Sequence, residues 1–415
     1  MLAWVKVLFT GGVVGLALCL PTVSQAEFAE VLPQGKARVI VDTHIYFPTS
    51  QRYNPEGEVE DVATDYNAVL TSRIFPALTQ LERAFGMAPG TACLGRSVVS
   101  FSYQFKITNT YLQYGVTDNL SVGVMIPYWW VRNRVKSYLD ISHATVGKNA
   151  RFNILAPLRV PGTVPLTSED IRSLLGGGLD INGDGRVDIK GFGFKRFQPW
   201  YGEGLSDIEA GFRYQYLHTD QWRLAFTGGA RFPTGRLDDP NDLTDYPFGR
   251  GVYALLFRLN NDFIGIKGLV LNATVKYDLN LPHTQLVRVP DSVNNPLTSN
   301  IERVSFDIGD VLEFEHEGKY EFYRGWIVNW LYRYGMKLED QAVGRKAFFY
   351  KSLEMETDYT EHVAMIGLSY STYHLYAEKR FPLPLKFGVY YRNRFAGSNN
   401  VLQSEYIGVG MQAVF

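Results

Sequence analysis

Side chains able to coordinate a hard cation recur at every second position in Asp180-Ile181-Asn182-Gly183-Asp184-Gly185-Arg186-Val187-Asp188. Asp180, Asn182 and Asp184 stand at positions 1, 3 and 5 of a calcium-binding loop. Gly185 takes the turn position, Arg186 offers its backbone carbonyl at 7, and Asp188 stands at 9. Alternate positions around a tight turn converge their oxygens on one point, as calcium requires. Position 12 calls for a bidentate acid and is Gly191 instead. The expectation is a structural Ca2+ that ties the loop down and is one strong ligand short. The alternative is a solvated, Asx-rich turn.

A second group of candidates is a set of charges at strand spacing: Arg213, Arg223, Arg231, Lys276, Asp278, Glu313, Glu315, Glu317, Arg333 and Arg392. Each alternates with apolar neighbours, so a closed sheet with its apolar face to lipid turns all of them inward, as pore-lining groups. Same-face residues on a strand lie about 7 Å apart, so the glutamate row from Glu313 needs compensating cations. The mixed signs predict neither strong anion nor strong cation selectivity. Lining water and pairing across a nearly closed interior both remain open. Seven histidines are present, none in a Ser-His or Asp-His constellation; His143 follows Ser142 without a third partner. The chain therefore reads as a non-enzyme.

The elements that must position these groups are strands. Leu269, Leu271, Ala273, Val275, Tyr277 and Leu279 alternate with Asn272, Thr274, Lys276 and Asp278. Trp326, Val328, Trp330, Tyr332 and Tyr334 do the same against Asn329 and Arg333. At the end of the chain Ile407, Val409, Met411, Ala413 and Phe415 share one face, opposite Tyr406, Gly408, Gly410 and Gln412. A last strand apolar on one side and closed by a terminal aromatic is typical of outer-membrane β-barrels. Connections alternate between short and long, as periplasmic turns and extracellular loops do. Twelve strands are predicted, at 36–47, 98–114, 120–136, 206–217, 222–234, 251–263, 268–281, 311–322, 326–337, 361–376, 385–395 and 404–415. The fold class is thus an all-β, antiparallel transmembrane barrel, with both termini periplasmic and its last strand paired to the first near Val39 to Ile45. Residues 27–415 form one barrel domain.

Long loops are predicted at 48–97 and 139–205. In the first, Val69, Leu70, Ile74, Leu78, Leu81 and Phe85 recur at helical spacing, predicting an amphipathic helix over 65–86, kinked at Pro76. It packs on the extracellular rim or dips inside as a plug. In the second, Thr167-Ser168-Glu169-Asp170 is a capping pattern before Ile171 to Leu175, and the calcium-like segment follows.

Lys6, the apolar run Val7 to Leu20 and small residues at Ser24 and Ala26 read as a secretory signal peptide over 1–26, cleaved near Ala26. That run is shorter than the roughly 20 residues a spanning helix needs. The mature chain has no apolar run of that length, so no transmembrane helix is expected in it, and the mean hydropathy of the whole sequence is −0.11. A spanning chain must then satisfy its backbone by closing a sheet. The 26 Tyr, 26 Phe and 7 Trp suffice for interfacial girdles. Cys93 is the single cysteine after cleavage, a spare thiol unable to form an intramolecular disulfide. The net charge of −1 argues against nucleic acid as a partner.

Three stretches carry a family resemblance: LPQGKARVIVDTHIYF from Leu32, YLQYGVTDNLSVGVMIPYWW from Tyr111 to Trp130, and the run from Gly204 to Gly251 containing GLSDI and FPTG. Together they resemble the outer-membrane family named for the MetA pathway of phenol degradation, which is compared with FadL-like channels for hydrophobic compounds. The resemblance covers about the first two-thirds of the mature chain. The long first loop and the calcium-like insertion depart from it. It implies a monomeric barrel proposed to pass aromatic or other hydrophobic small molecules. The expected function is an outer-membrane channel, or porin, for passive uptake of such solutes in a Gram-negative bacterium. The alternatives are a structural sheath or docking partner for a periplasmic or extracellular protein, and an outer-membrane hydrolase. Outer-membrane lipid, the small-molecule solute and the barrel-assembly machinery, engaged through the C-terminal strand, are the expected partners.

Overall fold

The structure is a computed structural model that describes residues 28–292 and 297–415. The expected signal peptide and its cleavage point lie outside the described residues. Twelve antiparallel strands close on themselves: β1 (Ala37–Tyr46), β2 (Cys93–Thr117), β3 (Leu120–Asp140), β4 (Ile208–His218), β5 (Trp222–Phe232), β6 (Ala254–Ile266), β7 (Leu269–Asn280), β8 (Val311–Tyr323), β9 (Trp326–Lys337), β10 (Tyr359–Ser371), β11 (Leu385–Gly397) and β12 (Glu405–Val414). Each pairs with its chain neighbours, and β12 returns to β1 in a register running from Arg38↔Val414 to Tyr46↔Tyr406. Closure leaves no strand edge in the bilayer, where an unpaired N–H or C=O costs several kcal/mol. No helix among the described residues is long and apolar enough to cross a membrane.

The outward face explains why this alternation folds as a barrel. Leu112, Val122, Leu259, Val275, Ile366, Val389 and Val409 are exposed and form an aliphatic belt. Tyr214, Trp222, Tyr320, Phe322, Trp326 and Phe415 ring its periplasmic edge, while Phe232, Tyr253, Phe314, Tyr332 and Phe395 ring the other. These are the two aromatic girdles of a membrane barrel.

β2 and β3 depart from the expected lengths. They run 25 and 21 residues, against the 9–11 that span a bilayer. Their pairing continues to Arg96↔Asp140, so the hairpin stands well clear of the membrane. Its polarity inverts on the way. Near the periplasm the outward residues Leu112 and Tyr114 are apolar; higher up, Phe101, Tyr103, Phe105 and Ile107 are buried inside, and Lys106, Arg132, Arg134 and Lys136 face out to water.

The extracellular loops pack on this hairpin as a cap with its own core. Leu70, Ile74, Leu78 and Leu81 of the first loop meet Leu174, Leu179, Ile181 and Phe194 of the second. Of the apolar positions predicted for a single helix over 65–86, Leu70, Ile74, Leu78 and Leu81 are thus buried, while Phe85 is half-buried and Val69 exposed, and only α1 (Ala77–Ala84) is α-helical. Val69–Thr71 is extended because it pairs with the start of β2, and Pro76 sits at the helix N-cap, where its missing N–H costs nothing, rather than in a kink. α1 lies in the cap and does not plug the barrel. α2 (Ser168–Leu175) begins at Thr167 with both halves of a capping box, its Oγ1 accepting from Asp170 N and its own N–H donating to the Asp170 carboxylate. The strand expected to reach residue 376 stops at Ser371. Thr372 Oγ1 there donates to Leu383 O and accepts from Leu385 N, both at 2.8 Å, and α3 (Tyr373–Ala377) follows in the periplasmic connection.

The closing seam leaves no room for side chains at Gly408, where a Cβ would collide with the ring of Tyr390. Gly408→Val is expected to destabilise the barrel by about 1–3 kcal/mol. Heat-modified migration on a gel should show unfolding at a lower temperature than the parent protein.

Candidate functional site

Strand parity divides the interior into two walls. Inward positions of β1 and β2 carry rings, and ring follows ring. Phe197 lies 6.1 Å from Tyr66, Tyr66 lies 4.9 Å from Phe101, and Phe101 lies 6.1 Å from Tyr103. The series continues through Phe105 at 5.9 Å, Tyr46 at 5.6 Å, Tyr406 at 4.5 Å and His44 at 4.7 Å. Tyr390 ends it, 6.1 Å from His44 and hydrogen-bonded to Asp42 at 2.9 Å. These spacings fall in the 4.5–7 Å range of favourable aromatic pairs. The upper rings are covered by Val62 and Ala63 of the first loop and by Tyr246 and Phe248 of the third, which joins β5 to β6.

The facing wall is a lattice of ion pairs running from β4 to β11. Arg231 bonds Glu209 at 2.6 Å and Asp278 at 2.9 Å, and Asp278 also takes Arg258 at 2.6 Å. Lys276 bonds Glu315 at 2.7 Å, Arg333 bonds Glu361 at 2.6 Å, and Arg394 bonds the same Glu361 at 2.7 Å. Register brings Arg258, Lys276 and Glu313 level, with Gly335 between Glu313 and Glu361. Without a side chain there, the guanidinium of Arg333 reaches both acids. Charges this buried hold only when paired, and most of the acids here meet two cations.

Two spaces terminate the walls. On the extracellular side, a cavity of about 80 Å³ lies between the first and second loops. Its lining is almost wholly apolar and includes Tyr66, Leu70, Phe75, Val99, Ile171 and Phe197. The ring series therefore starts in its wall. On the periplasmic side, a vestibule of about 860 Å³ is bounded by Arg38, Trp330, Met365, Lys319, Lys386 and Tyr373. Met365 also packs with Tyr390 and Tyr406, joining the lower end of the series to this space.

The N-terminal segment enters the vestibule and is hydrogen-bonded to its wall through its backbone. Ala29 N donates to Asp262 Oδ1 at 3.0 Å, Gln215 Nε2 donates to Ala29 O at 2.8 Å, and Arg213 Nη1 donates to Phe28 O at 2.7 Å. Leu32 N donates to Ser121 Oγ at 2.8 Å.

Of the charges singled out in the sequence, Arg231, Lys276, Asp278, Glu313, Glu315 and Arg333 belong to the lattice, and Glu317 is buried beside it. Arg213 and Arg223 hold the N-terminal segment, Arg223 through Asp262 at 2.9 Å. Arg392 bonds the Tyr406 hydroxyl at 3.2 Å. The aromatic series, Phe28, Glu30 and the Asp42–His44 pair were not anticipated. The Asp42–His44 pair and Tyr46 had a signal in the sequence, since Arg38, Ile40, Asp42, His44 and Tyr46 share one face of β1.

The calcium-like loop is curled on itself. Asp180 accepts from Gly183 N and Gly185 N, both at 2.7 Å, and these N–H groups hold its carboxyl below the ordinary range. Asp184 accepts from Arg186 N at 2.8 Å, and Asp188 from Ile181 N at 2.8 Å. Asn182 accepts from Asp184 N at 3.0 Å. Gly191 packs against the backbone of Gly176, so a side chain at position 12 would collide. Among the described residues no three His, Cys, Asp or Glu side chains converge on a metal site.

In the third loop, Asp238 and Asp245 hydrogen-bond to each other near Arg236. Burial, then the neighbouring carboxylate, pushes Asp238 well above the ordinary carboxylate range. The folded loop thus keeps a proton that the unfolded chain releases, so its stability is complete in acid and falls as pH rises from about 4 through the raised value. Protection factors over 236–246, corrected for the intrinsic base-catalysed exchange rate, should be higher at about pH 5 than at about pH 8, and Asp238→Asn should abolish the difference. Within the lattice, Glu361→Gln leaves Arg333 and Arg394 with a weakened partner. The expected cost is about 3–5 kcal/mol, read as a lower urea midpoint in lipid vesicles.

No family model matches the sequence, and no curated protein does. Solved structures do match. An outer membrane channel from Pseudomonas putida F1 superposes with a TM-score of 0.53 at 11% identity, over 95% of this chain and all of that one. A toluene transporter from Ralstonia pickettii, TbuX, gives 0.33 at 11% identity over 92% of this chain and 90% of that one, too low a score to bear on the argument. The first likeness is one of fold, and the fold of this chain is that of a twelve-stranded outer-membrane β-barrel.

Proposed function

We propose that this barrel is an outer-membrane channel for the passive uptake of small hydrophobic, chiefly aromatic, compounds. The observation that carries the reading is the ring series that starts in the wall of the apolar extracellular cavity and ends at Tyr390, where Met365 joins it to the periplasmic vestibule. An aromatic solute taken from the cavity exchanges one ring contact for the next. Each is worth about 0.5–1.5 kcal/mol, enough to guide and too little to trap. The covering residues of the first and third loops must lift for it to pass. The ion-pair lattice keeps the opposite wall rigid meanwhile. The sequence holds no nucleotide or redox motif, so the concentration gradient supplies the drive. The description of the P. putida protein as a channel supports the same reading.

Uptake of phenol into proteoliposomes, after the rate into protein-free vesicles is subtracted, should exceed that of a sugar of similar size treated in the same way. The double variant Tyr103→Ala/Phe105→Ala should slow phenol roughly tenfold, two ring contacts being lost. Equal rates for both solutes and both proteins would overturn the proposal. A silent barrel that co-purifies with another exported protein would favour the sheath instead.

Calcium is proposed as a weak structural ligand of the loop from Asp180 to Asp188, supported by the Asp180–Gly185 bond that curls the loop around its oxygens. Titration calorimetry with millimolar calcium should give binding heat that Asp180→Asn removes; no heat in the parent protein would end the idea.

A further inference from the structure

The N-terminal segment presents an unusual pair of groups to the vestibule. Lys319 Nζ stands 4.2 Å from the centre of the Phe28 ring and 3.8 Å from Glu30 Oε2. One ammonium thus touches an aromatic face and a carboxylate at once. Arg223 approaches the other oxygen of Glu30 at 3.9 Å, and the charges of Arg38 and Lys386 also act on it. The four cations come from four strands, β1, β5, β8 and β11, and converge on one acid.

That acid is weakly held. Both ion contacts are long, and half of the Glu30 side chain remains exposed to the vestibule. The segment is fixed by its backbone, through Asp262, Gln215, Arg213 and Ser121, rather than by its carboxylate. The space beside it, about 860 Å³, has apolar walls in Ile40, Met365 and Trp330 next to the cations. Small-molecule sites have this size and this mixture of apolar lining with a few converging polar groups.

We infer that the vestibule is a binding site for aromatic carboxylates, and that Phe28 and Glu30 occupy it in the resting protein as a tethered stand-in for such a solute. The inference rests on the channel reading and narrows its cargo: the ring of the solute takes the place of Phe28 over Lys319, and its carboxylate takes the place of Glu30 among Arg38, Arg223, Lys319 and Lys386. A short tether holds its own ligand at an effective concentration in the millimolar range, so a free acid competes only when abundant. Removing the stand-in must therefore strengthen binding, the opposite of what loss of a structural contact does.

The test is equilibrium binding of benzoate, benzyl alcohol and acetate to the purified barrel, followed by ligand-observed NMR. Benzoate should bind the parent protein more tightly than either other probe. Glu30→Gln should tighten benzoate at least roughly fivefold, the size of one half-exposed ion pair, and Phe28→Ala/Glu30→Gln further still. Lys386→Ala, outside the contacts that fix the segment, should weaken benzoate by a similar factor and leave benzyl alcohol unchanged. Unchanged or weaker benzoate binding in Glu30→Gln, or equal gains for benzyl alcohol, would overturn the inference. Gel heat-modification confirms that each variant is closed; if Glu30→Gln does not close, Phe28→Ala alone carries the same prediction. Failure here with phenol uptake intact rejects the carboxylate site alone, whereas loss of phenol selectivity as well rejects the channel reading.

Discussion

Everything in this protein depends on one constraint: in hydrocarbon each backbone N–H and C=O must find its partner within the protein. A sheet meets that demand only by closing, and β12 meets β1 over nine paired positions to do so. Closure fixes which residues point inward, since parity along each strand then has no freedom. Lys276, Glu313 and Glu361 fall level because the registers of four strands are locked to one another. The lattice of ion pairs is in this sense a product of the backbone bonds. It contributes shape more than net energy, because desolvation offsets much of what the pairs gain.

The same parity, followed along β2, crosses from one solvent to another. Leu112 and Tyr114 face lipid, while ten residues on, the side that faces out carries Ser102 and Ser100 and the apolar residues have moved inside. The inversion marks where the strand leaves the bilayer. Above that level the sheet behaves as in a water-soluble protein, with the loops as its core partner. Phe101, Tyr103 and Phe105 thereby become available as an inner wall, which a hairpin of ordinary length would not have provided.

Much of the barrel was legible in the sequence. Twelve strands in these positions follow from period-two alternation and from turn spacing, because lipid on one side and charge on the other leave a strong pattern. Thr167 announced its helix through a capping box that depends on neighbours three residues apart. What was not legible depends on distant pairing. Val69 and Leu70 carry a helical spacing, but pairing with Arg96 and its neighbours draws them into an extended form. The extra length of β2 and β3 was hidden because its apolar residues sit on the unexpected face. The ring series joins strands β1, β2, β11 and β12 with two loops, and no local window contains it.

The bond from Ala29 to Asp262 spans 233 residues of sequence. Its neighbours Ser121 and Gln215 lie on β3 and β4, so the seat of the N-terminal segment does not exist until strands far along the chain have docked. Contacts of such separation form late, after the entropy of the long loop has been met by other pairings. Occupation of the vestibule by Phe28 and Glu30 therefore requires β3, β4 and β6 to be in place together.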